Sequence, residues 1–289
     1  MTAMPSTAPG DKLGALPNWN LADLYDGPHS VALEADLARA QSLAEAFQAR
    51  WEGLIATLTG SELAAAITAY EQIQELIGRI GSYAGLLHAG DMSDGTIGGF
   101  YQTTQERLTD IGSATLFFTL EINRIAEGEF AAKFDAPELA RWRPWLRDVR
   151  AFQPYQLSDE LEKLLYEKYV TGAAAWVRLF DETMADLRFP IGGRALTSAE
   201  AFDLMSNPDR ATRQAAGQAI TAGLGSAART IGLIHNTLAK DKEIEDRRRG
   251  FAQPISSRNL ENHVEDAVVD ALIGAAKAAY PVLSHRYYR

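Results

Sequence analysis

The chain has 289 residues and a net charge of −10, with 28 lysines and arginines against 38 aspartates and glutamates. Its composition, 46% hydrophobic and 23% charged, is that of a globular protein and excludes a disordered chain or a fibrous repeat. The absence of cysteine excludes disulfides, cysteine-ligated zinc, iron–sulfur clusters and thiol nucleophiles. The acidic balance argues against nucleic acid as a partner, because nucleic-acid binders present a basic face to the phosphates.

The densest basic run, Arg247-Arg248-Arg249, follows lysines and acidic residues on one helical stretch. This pattern is typical of a solvated helix end, and we prefer that interpretation to a phosphate-binding patch. No stretch reaches about 20 uninterrupted apolar residues, so no membrane partner is expected. Residues 1–12 lack the basic and apolar regions of a signal peptide and predict a flexible tail. We therefore expect a cytoplasmic protein.

Helical periodicity dominates the first half of the chain. Apolar residues recur every three or four positions over residues 30–58, and we expect Gly60 to end this helix and Ser61 to cap the next. A second apolar stripe runs over residues 63–87 and a third over 97–125. Three long helices joined by short loops predict antiparallel neighbours.

Prolines and tryptophans mark the segment that follows. Asp135 with Pro137 behind it predicts a helix start, and Pro144 between Trp142 and Trp145 predicts a kink or a break. We expect the two tryptophans to belong to the core rather than to hold a ligand.

A short stretch of β-structure interrupts the helical pattern. Ser158 is expected to cap a helix that ends at Thr171-Gly172, and the next helix covers residues 173–186. Residues 187–196, with Gly192-Gly193 at their centre, predict a small β-hairpin. The predicted fold class is mainly α, a lobe of long antiparallel helices with this one hairpin.

Four helices are expected after the hairpin. The first starts with a capping box at residues 197–200, and the second starts at Asn207-Pro208 and stops near Gly223–Gly225. The third ends at Gly250. The last covers about residues 264–283 and continues past its own proline.

The sequence contains no self-contained catalytic motif. A helical zinc peptidase needs His-Glu-x-x-His, because this spacing places two imidazoles on one face beside a glutamate that activates the zinc-bound water. No histidine here is followed by glutamate, and none has a glutamate three residues before it, as a di-iron bundle requires. The closest cluster, residues 261–265 around His263, is better explained by capping and solvation. We therefore assign no catalytic, cofactor-binding or metal-ligating residue in this chain.

A series of motifs follows in order along the chain. They are Trp19-Asn20-Leu21-Ala22-Asp23-Leu24-Tyr25, the segment 150–165, Trp176-Val177-Arg178-Leu179-Phe180, Leu196 to Ala201, Asp209 to Ala216, Asn236 to Lys242 and the turn 259–264. Each is weak alone, but their order and spacing resemble the oligoendopeptidase F branch of the M3 zinc metallopeptidases. We expect most of them to pack helices, with Trp19 and Tyr25 pinning an N-terminal strap and Arg213 pairing with an acidic residue.

The resemblance implies a zinc-dependent endopeptidase that cleaves short, unstructured peptides within a helical clamshell whose narrow channel excludes folded proteins. In that family the His-Glu-x-x-His helix and a third ligand, a glutamate, lie in the C-terminal half, so no zinc ligand is carried over to this chain. Zinc is expected in the full-length enzyme and not bound here. Residues 13–200 would be the N-terminal lobe, and residues 201–289 the first helices of a truncated peptidase M3 domain.

Two functions remain open. In the first, the chain is the N-terminal portion of such an enzyme and forms one wall of the substrate channel. Its partners are then oligopeptide substrates and the missing C-terminal catalytic half, and the chain alone is inactive. The alternative is a stand-alone, non-catalytic helical peptide-binding or scaffold protein. The helical pattern still running at residues 285–289 favours the first, whereas a compact monomer with no large exposed apolar patch would favour the second.

Overall fold

A computed structural model describes residues 19–289, so the tail predicted over residues 1–12 lies outside the described part. The described part contains α-helices and one two-stranded hairpin, which confirms the predicted fold class. The helices are α1 (Val31–Trp51), α2 (Gly60–Gly90), α3 (Gly95–Thr115), α4 (Phe117–Arg124), α5 (Glu127–Phe134), α6 (Arg143–Ala151), α7 (Asp159–Tyr169), α8 (Ala173–Asp186), α9 (Ser198–Asp203), α10 (Arg210–Arg249), α11 (Ser256–Glu261), α12 (Asp266–Ala279) and α13 (Ser284–Tyr288). The strands, between α8 and α9 in the chain, are β1 (Phe189–Ile191) and β2 (Arg194–Leu196).

The helices α1 to α6 pack into a unit that we call the helical body. Asp36 near the start of α1 pairs with Arg79 near the end of α2, whereas Phe47 near the end of α1 contacts Tyr70 of α2. The two helices are therefore antiparallel, as expected. The core is built around the fully buried Phe118, whose ring lies 5.2 Å from that of Phe47 and 5.0 Å from that of Tyr70.

The tryptophans of the helical body lie where the sequence predicts. Trp145 stacks on Phe118, with ring centroids 6.3 Å apart. Trp142 packs against the same core, and its indole Nε1 donates a hydrogen bond of 2.6 Å to Glu71 Oε1. Both residues belong to the core, because a partly buried indole is stable where its N–H finds an acceptor.

The N-terminal strap is held by one of its two predicted aromatic residues. Tyr25 is buried against Tyr83, with ring centroids 5.4 Å apart, and its hydroxyl donates to Asp36 Oδ2 at 2.7 Å. The prediction for Trp19 is wrong, since its side chain is 96% exposed.

Several predicted helix ends in the helical body are displaced. α2 begins with a capping box in which Thr59 accepts from the Glu62 N–H, so the N-cap of α2 is Thr59 and not Ser61. Gly60 is the first residue of α2 and does not end α1. Asp135 follows the last turn of α5 instead of starting a helix. Pro144 does mark a break, because it lies in the first turn of α6 after a 3₁₀ turn.

The hairpin and the helix before it agree with the sequence. α8 has the predicted bounds, and β1 pairs antiparallel with β2 in the register Phe189↔Leu196. Gly192 and Gly193 have φ of 59° and 80°. A two-residue turn with positive φ at both positions matches the right-handed twist of the strands, which explains the glycine pair.

α10 is one helix of 40 residues, so the predicted end at Gly223–Gly225 is wrong. A side chain at position 223 would place its Cβ 2.6 Å from the ring of buried Phe189, so glycine there permits close packing of α10 on β1. The N-cap is Asp209 rather than Asn207. Arg213, expected to pair with an acidic residue, donates instead to the carbonyls of Asn207 and Pro208.

The last helices differ from the prediction in their extent. α10 ends at Gly250 with φ 81°, as predicted. The helix predicted over residues 264–283 corresponds to α12 and does not continue past Pro281. It ends at Ala279, because proline cannot continue the hydrogen-bond ladder, and α13 follows.

No residue of α12 or α13 is buried. The helical segment Asp266–Tyr288 is long and apolar enough to cross a membrane by length and composition, a candidate that the count of uninterrupted apolar residues did not reveal.

Candidate functional site

A buried ion pair joins α7 to the end of α10. Arg249 donates to both carboxylate oxygens of Glu162, with Nη1–Oε1 and Nη2–Oε2 distances of 2.6 and 2.9 Å. The two side chains are 8% and 10% exposed. Arg249 also donates from Nε to Glu245 at 2.7 Å and from Nη1 to the carbonyl of Tyr155. The guanidinium thus fixes the position of α10 relative to α7.

The role of Arg249 corrects the sequence interpretation of the arginine run as a solvated helix end. Burial alone would lower the pKa of Arg249, but its hydrogen bonds to Glu162 and Glu245 outweigh burial and raise that pKa above its ordinary value. Arg247 does behave as predicted, because it pairs with Glu243 one turn earlier on the solvent side. The partner of Arg249 is 87 residues away in the chain, which is why local pattern does not reveal it.

Between α7 and α10 lies a groove of about 590 Å³, which we call the α7–α10 groove. One wall comes from α7 together with Leu157, two residues before it, the other from the last third of α10, and the start of α8 closes one side. The apolar lining residues are Leu157, Leu161, Leu164, Leu165, Tyr169, Ala173, Leu238 and Ile244. Such a size falls within the range of ligand-binding clefts, about 300–1,000 Å³.

The exposure of the groove leucines is the feature that suggests binding. Leu161 and Leu164 are 46% and 50% exposed, although both lie on the face of α7 towards α10. Ile244 on the opposite wall is 42% exposed. Contiguous exposed apolar side chains with a polar rim are typical of an interaction surface.

The rim of the groove carries both signs of charge. Lys168 and Arg248 supply cations and Asp241 supplies an anion, all on exposed side chains. Lys242 is engaged elsewhere, since it pairs with Asp246 and donates to the Ser257 hydroxyl at 2.8 Å. The groove can hold an extended peptide whose apolar side chains contact the leucines and whose flanking polar or charged groups reach the rim. It contains no group positioned as a nucleophile with its base.

The residues present do not fit a zinc ion. Across residues 19–289, no three His, Asp or Glu side chains converge in a way that could hold a metal. The closest histidine–carboxylate approaches are His88 Nε2 to Glu182 and His263 Nδ1 to Asp148, each 3.9 Å. In the cluster around His263, Asn259 donates to Asp266 at 2.7 Å and His263 is mostly exposed, which agrees with capping and solvation.

Sequence comparison finds similarity to oligopeptidases. A family model described as Oligopeptidase F matches residues 121–189. Oligopeptidase PepF of Bacillus subtilis strain 168 is 21% identical over 276 residues, which cover 93% of this chain and 40% of that protein.

Structure comparison agrees with the sequence match. The crystal structure of oligoendopeptidase-F from Enterococcus faecium superposes with a TM-score of 0.77 at 20% identity, covering 89% of this chain and 51% of that one. The chain therefore spans about two-fifths to one-half of the length of these relatives. Together the comparisons support an M3 oligoendopeptidase F-like protein.

Proposed function

We propose that this oligoendopeptidase F-like chain is the amino-terminal, non-catalytic part of a zinc peptidase that hydrolyses short peptides. In this proposal the α7–α10 groove belongs to one wall of the substrate channel. Residues 13–200 form the N-terminal lobe and residues 201–289 the first helices of the peptidase domain. The observation that carries the proposal is the exposed leucine wall of α7, because a surface that must hold varied peptides needs accessible apolar side chains.

The zinc site of this enzyme would lie outside the chain. Residues 19–289 offer no donor set for the ion, and the full sequence contains no His-Glu pair. The chain covers 40% of the Bacillus relative, which leaves room in a longer protein for the catalytic residues. The chain's own contribution is therefore to bind and orient a peptide, not to activate water. A cytoplasmic location and the absence of nucleic-acid and membrane partners remain predictions from the sequence.

The alternative, a stand-alone helical peptide-binding or scaffold protein, receives less support. It requires a compact monomer without a large exposed apolar patch. α12 and the residue before α13 instead expose Val268, Leu272 and Leu283 to 55%, 70% and 65%. These side chains are more consistent with a surface that a further part of the enzyme covers.

Photo-crosslinking tests the proposal. A short, unstructured peptide that carries a benzoylphenylalanine is irradiated with the purified chain, and the adducts are mapped by mass spectrometry. We expect adducts on residues 161–169 and 238–248, and we expect the peptide itself to stay intact. Leu164→Asp should reduce the yield, because it places a charge on the apolar wall.

The matched control is Leu272→Asp, on an exposed leucine of α12 outside the groove. This variant should leave the yield in the groove unchanged. Adducts that concentrate on α12 and α13, or an equal loss in both variants, would contradict the proposed groove. Metal-dependent cleavage of the peptide by the purified chain would contradict the non-catalytic assignment.

A further inference from the structure

A second cavity lies between the end of α2, the middle of α3 and the helix α8. Its volume is about 300 Å³, at the small end of the range for ligand sites. Tyr101, Gln102 and Gln105 line it from α3, and Val177, Arg178 and Asp181 line it from α8. The proposed peptidase function does not use this cavity.

His88, at the end of α2, is the unexplained group in this cavity. Its side chain is 7% exposed, and its imidazole stacks on the Tyr101 ring with centroids 4.6 Å apart and planes 7° apart. The buried Nε2 atom has no hydrogen-bond partner. Because buried polar atoms are nearly always satisfied in native proteins, an orphaned imidazole nitrogen beside a cavity calls for a missing partner.

One carboxylate lies near two nitrogen atoms next to the cavity without a close hydrogen bond to either. Glu182 Oε1 lies 3.5 Å from Arg178 Nε and 3.9 Å from His88 Nε2. The first distance is at the outer limit of a hydrogen bond and the second is beyond it. Arg178 also donates to Gln102 Oε1. If another acceptor occupied Arg178, Glu182 would be released and would need to move only a short distance to satisfy His88.

The charged groups on the cavity wall complement a zwitterion. Arg178 is 28% exposed and offers a partly buried cation, which is suited to the planar geometry of a carboxylate. Asp181 lies about one turn of α8 away and offers an anion for an ammonium group. Val170, Ala174 and Val177 supply an apolar wall on the same side.

We propose that this cavity binds a free α-amino acid with an apolar side chain. Arg178 binds the carboxylate and Asp181 the ammonium group, while the apolar side chain packs against Val170 and Val177. The ligand carboxylate replaces Glu182 on Arg178, and Glu182 then accepts the hydrogen bond from His88 Nε2. The existence of this site does not depend on the α7–α10 groove.

Calorimetric titration of the full chain with leucine, dileucine, N-acetylleucine and leucinamide tests this proposal. We expect saturable binding of leucine, and removal of either charge should weaken it about tenfold, because a charged hydrogen bond to a partly buried partner is lost. Binding of leucine but not dileucine identifies the free amino acid as the ligand. Dileucine should bind more weakly, because a peptide bond separates its ammonium group from its carboxylate, and binding with at least equal affinity would overturn the proposal.

Three variants decide whether these residues form the site. Arg178→Gln should weaken leucine binding about tenfold, because it removes the cation but keeps a hydrogen-bonding side chain. Arg229→Gln, on an exposed arginine of α10, should not change the affinity. His88→Phe keeps the ring stack on Tyr101 and removes the orphaned nitrogen, so it should weaken binding without lowering the melting temperature of the unliganded chain. If His88 were purely structural, His88→Phe would lower the melting temperature of the unliganded chain and leave leucine binding unchanged.

The proposal is overturned if the wild-type chain shows no saturable binding of any of the four compounds. It is also overturned if the Arg178→Gln and His88→Phe variants, both folded by circular dichroism, bind leucine as tightly as the wild type does.

Discussion

The helical body and the region from β1 to α13 differ in how much of their apolar surface they bury. Around Phe118, the core of the described residues contains 25 buried hydrophobic side chains, nearly all from the helical body. The second cluster, where the hairpin packs on α10, contains four: Phe189, Leu196, Ala201 and Ile220. α12 is an apolar helix with no buried residue at all.

The helical body buries its apolar side chains within itself, whereas the second region leaves apolar side chains available for contact with another surface. The helical body satisfies its own apolar stripes, since α1, α2 and α3 each turn theirs towards a neighbour. The second region keeps leucines, valines and tyrosines at the surface, which is costly in water unless another surface covers them. α7 connects the two regions, because Ser113 of α3 donates to Glu167 of α7 at 2.8 Å and Arg249 of α10 pairs with Glu162 of α7. The α7–α10 groove lies beside this second contact.

The largest effect that we expect comes from emptying the core of the helical body. Phe118→Ala should lower the free energy of unfolding by about 3–5 kcal/mol, because it removes buried contacts and leaves a cavity. Leu272→Ala on α12 should change it by less than about 0.5 kcal/mol, since that side chain is 70% exposed. Urea unfolding measures both, and equal effects would contradict the difference between the two regions.

Breaking the connection between the regions should have the next largest effect. Arg249→Met leaves the Glu162 carboxylate buried without its partner and should cost about 3 kcal/mol in the free energy of unfolding. The double variant with Glu162→Leu should recover most of this loss, because two apolar side chains can replace a buried pair. A double variant that is less stable than Arg249→Met would contradict this account of the ion pair.

Two glycines of α10 provide a closer test of packing in the second region. Gly223→Ala should destabilise the chain by about 1–3 kcal/mol, since the new Cβ would meet the buried ring of Phe189 at 2.6 Å. Gly225→Ala meets nothing within 4 Å and should stabilise the helix by up to about 1 kcal/mol. Thermal unfolding of both variants measures the two signs. The same sign for both would show that Gly223 is not a packing residue.

The smallest expected effect is a pH-dependent stabilisation by two capping boxes, one in each region. The backbone N–H and the hydroxyl of Thr59 lower the pKa of Glu62 from 4.5, and Thr197 does the same for Glu200. A carboxyl with a lowered pKa in the folded state stabilises that state above pH 4.5, and this contribution is lost as the pH falls through the folded pKa.

Glu62→Gln and Glu200→Gln should therefore be less stable than the wild type at neutral pH, and the difference should disappear in acid. Chemical unfolding of each variant and of the wild type, at neutral pH and in acid, measures this difference in the free energy of unfolding. A difference that does not depend on pH would show that the carboxylate charge contributes nothing to either cap.

The sequence predicts those features that depend on neighbouring residues. The hairpin, the capping box at Thr197 and the end of α10 at Gly250 all follow from local chemistry and are present. The sequence does not predict that α10 continues through Gly223, because glycine has a low helix propensity. The reason for glycine at this position is its packing against a strand that lies more than 30 residues earlier.

The candidate site was not predictable by the same means. The groove combines α7 with the end of α10, and Arg249 finds its partner 87 residues away. Its leucines appear in the sequence as ordinary members of an amphipathic helix, and only their exposure in the folded chain sets them apart. The oligoendopeptidase F resemblance came from the order of short motifs along the chain, and the family match over residues 121–189 confirms it.

Native mass spectrometry of the 289-residue chain, mixed with one equivalent of zinc and a short unstructured peptide, tests the central claim most directly. We expect a complex of the chain with the intact peptide and no stoichiometric zinc, because residues 19–289 offer a groove but no donor set for the ion. A species that carries one zinc ion, together with cleaved peptide, would contradict the proposal that this chain binds a peptide but does not cleave it.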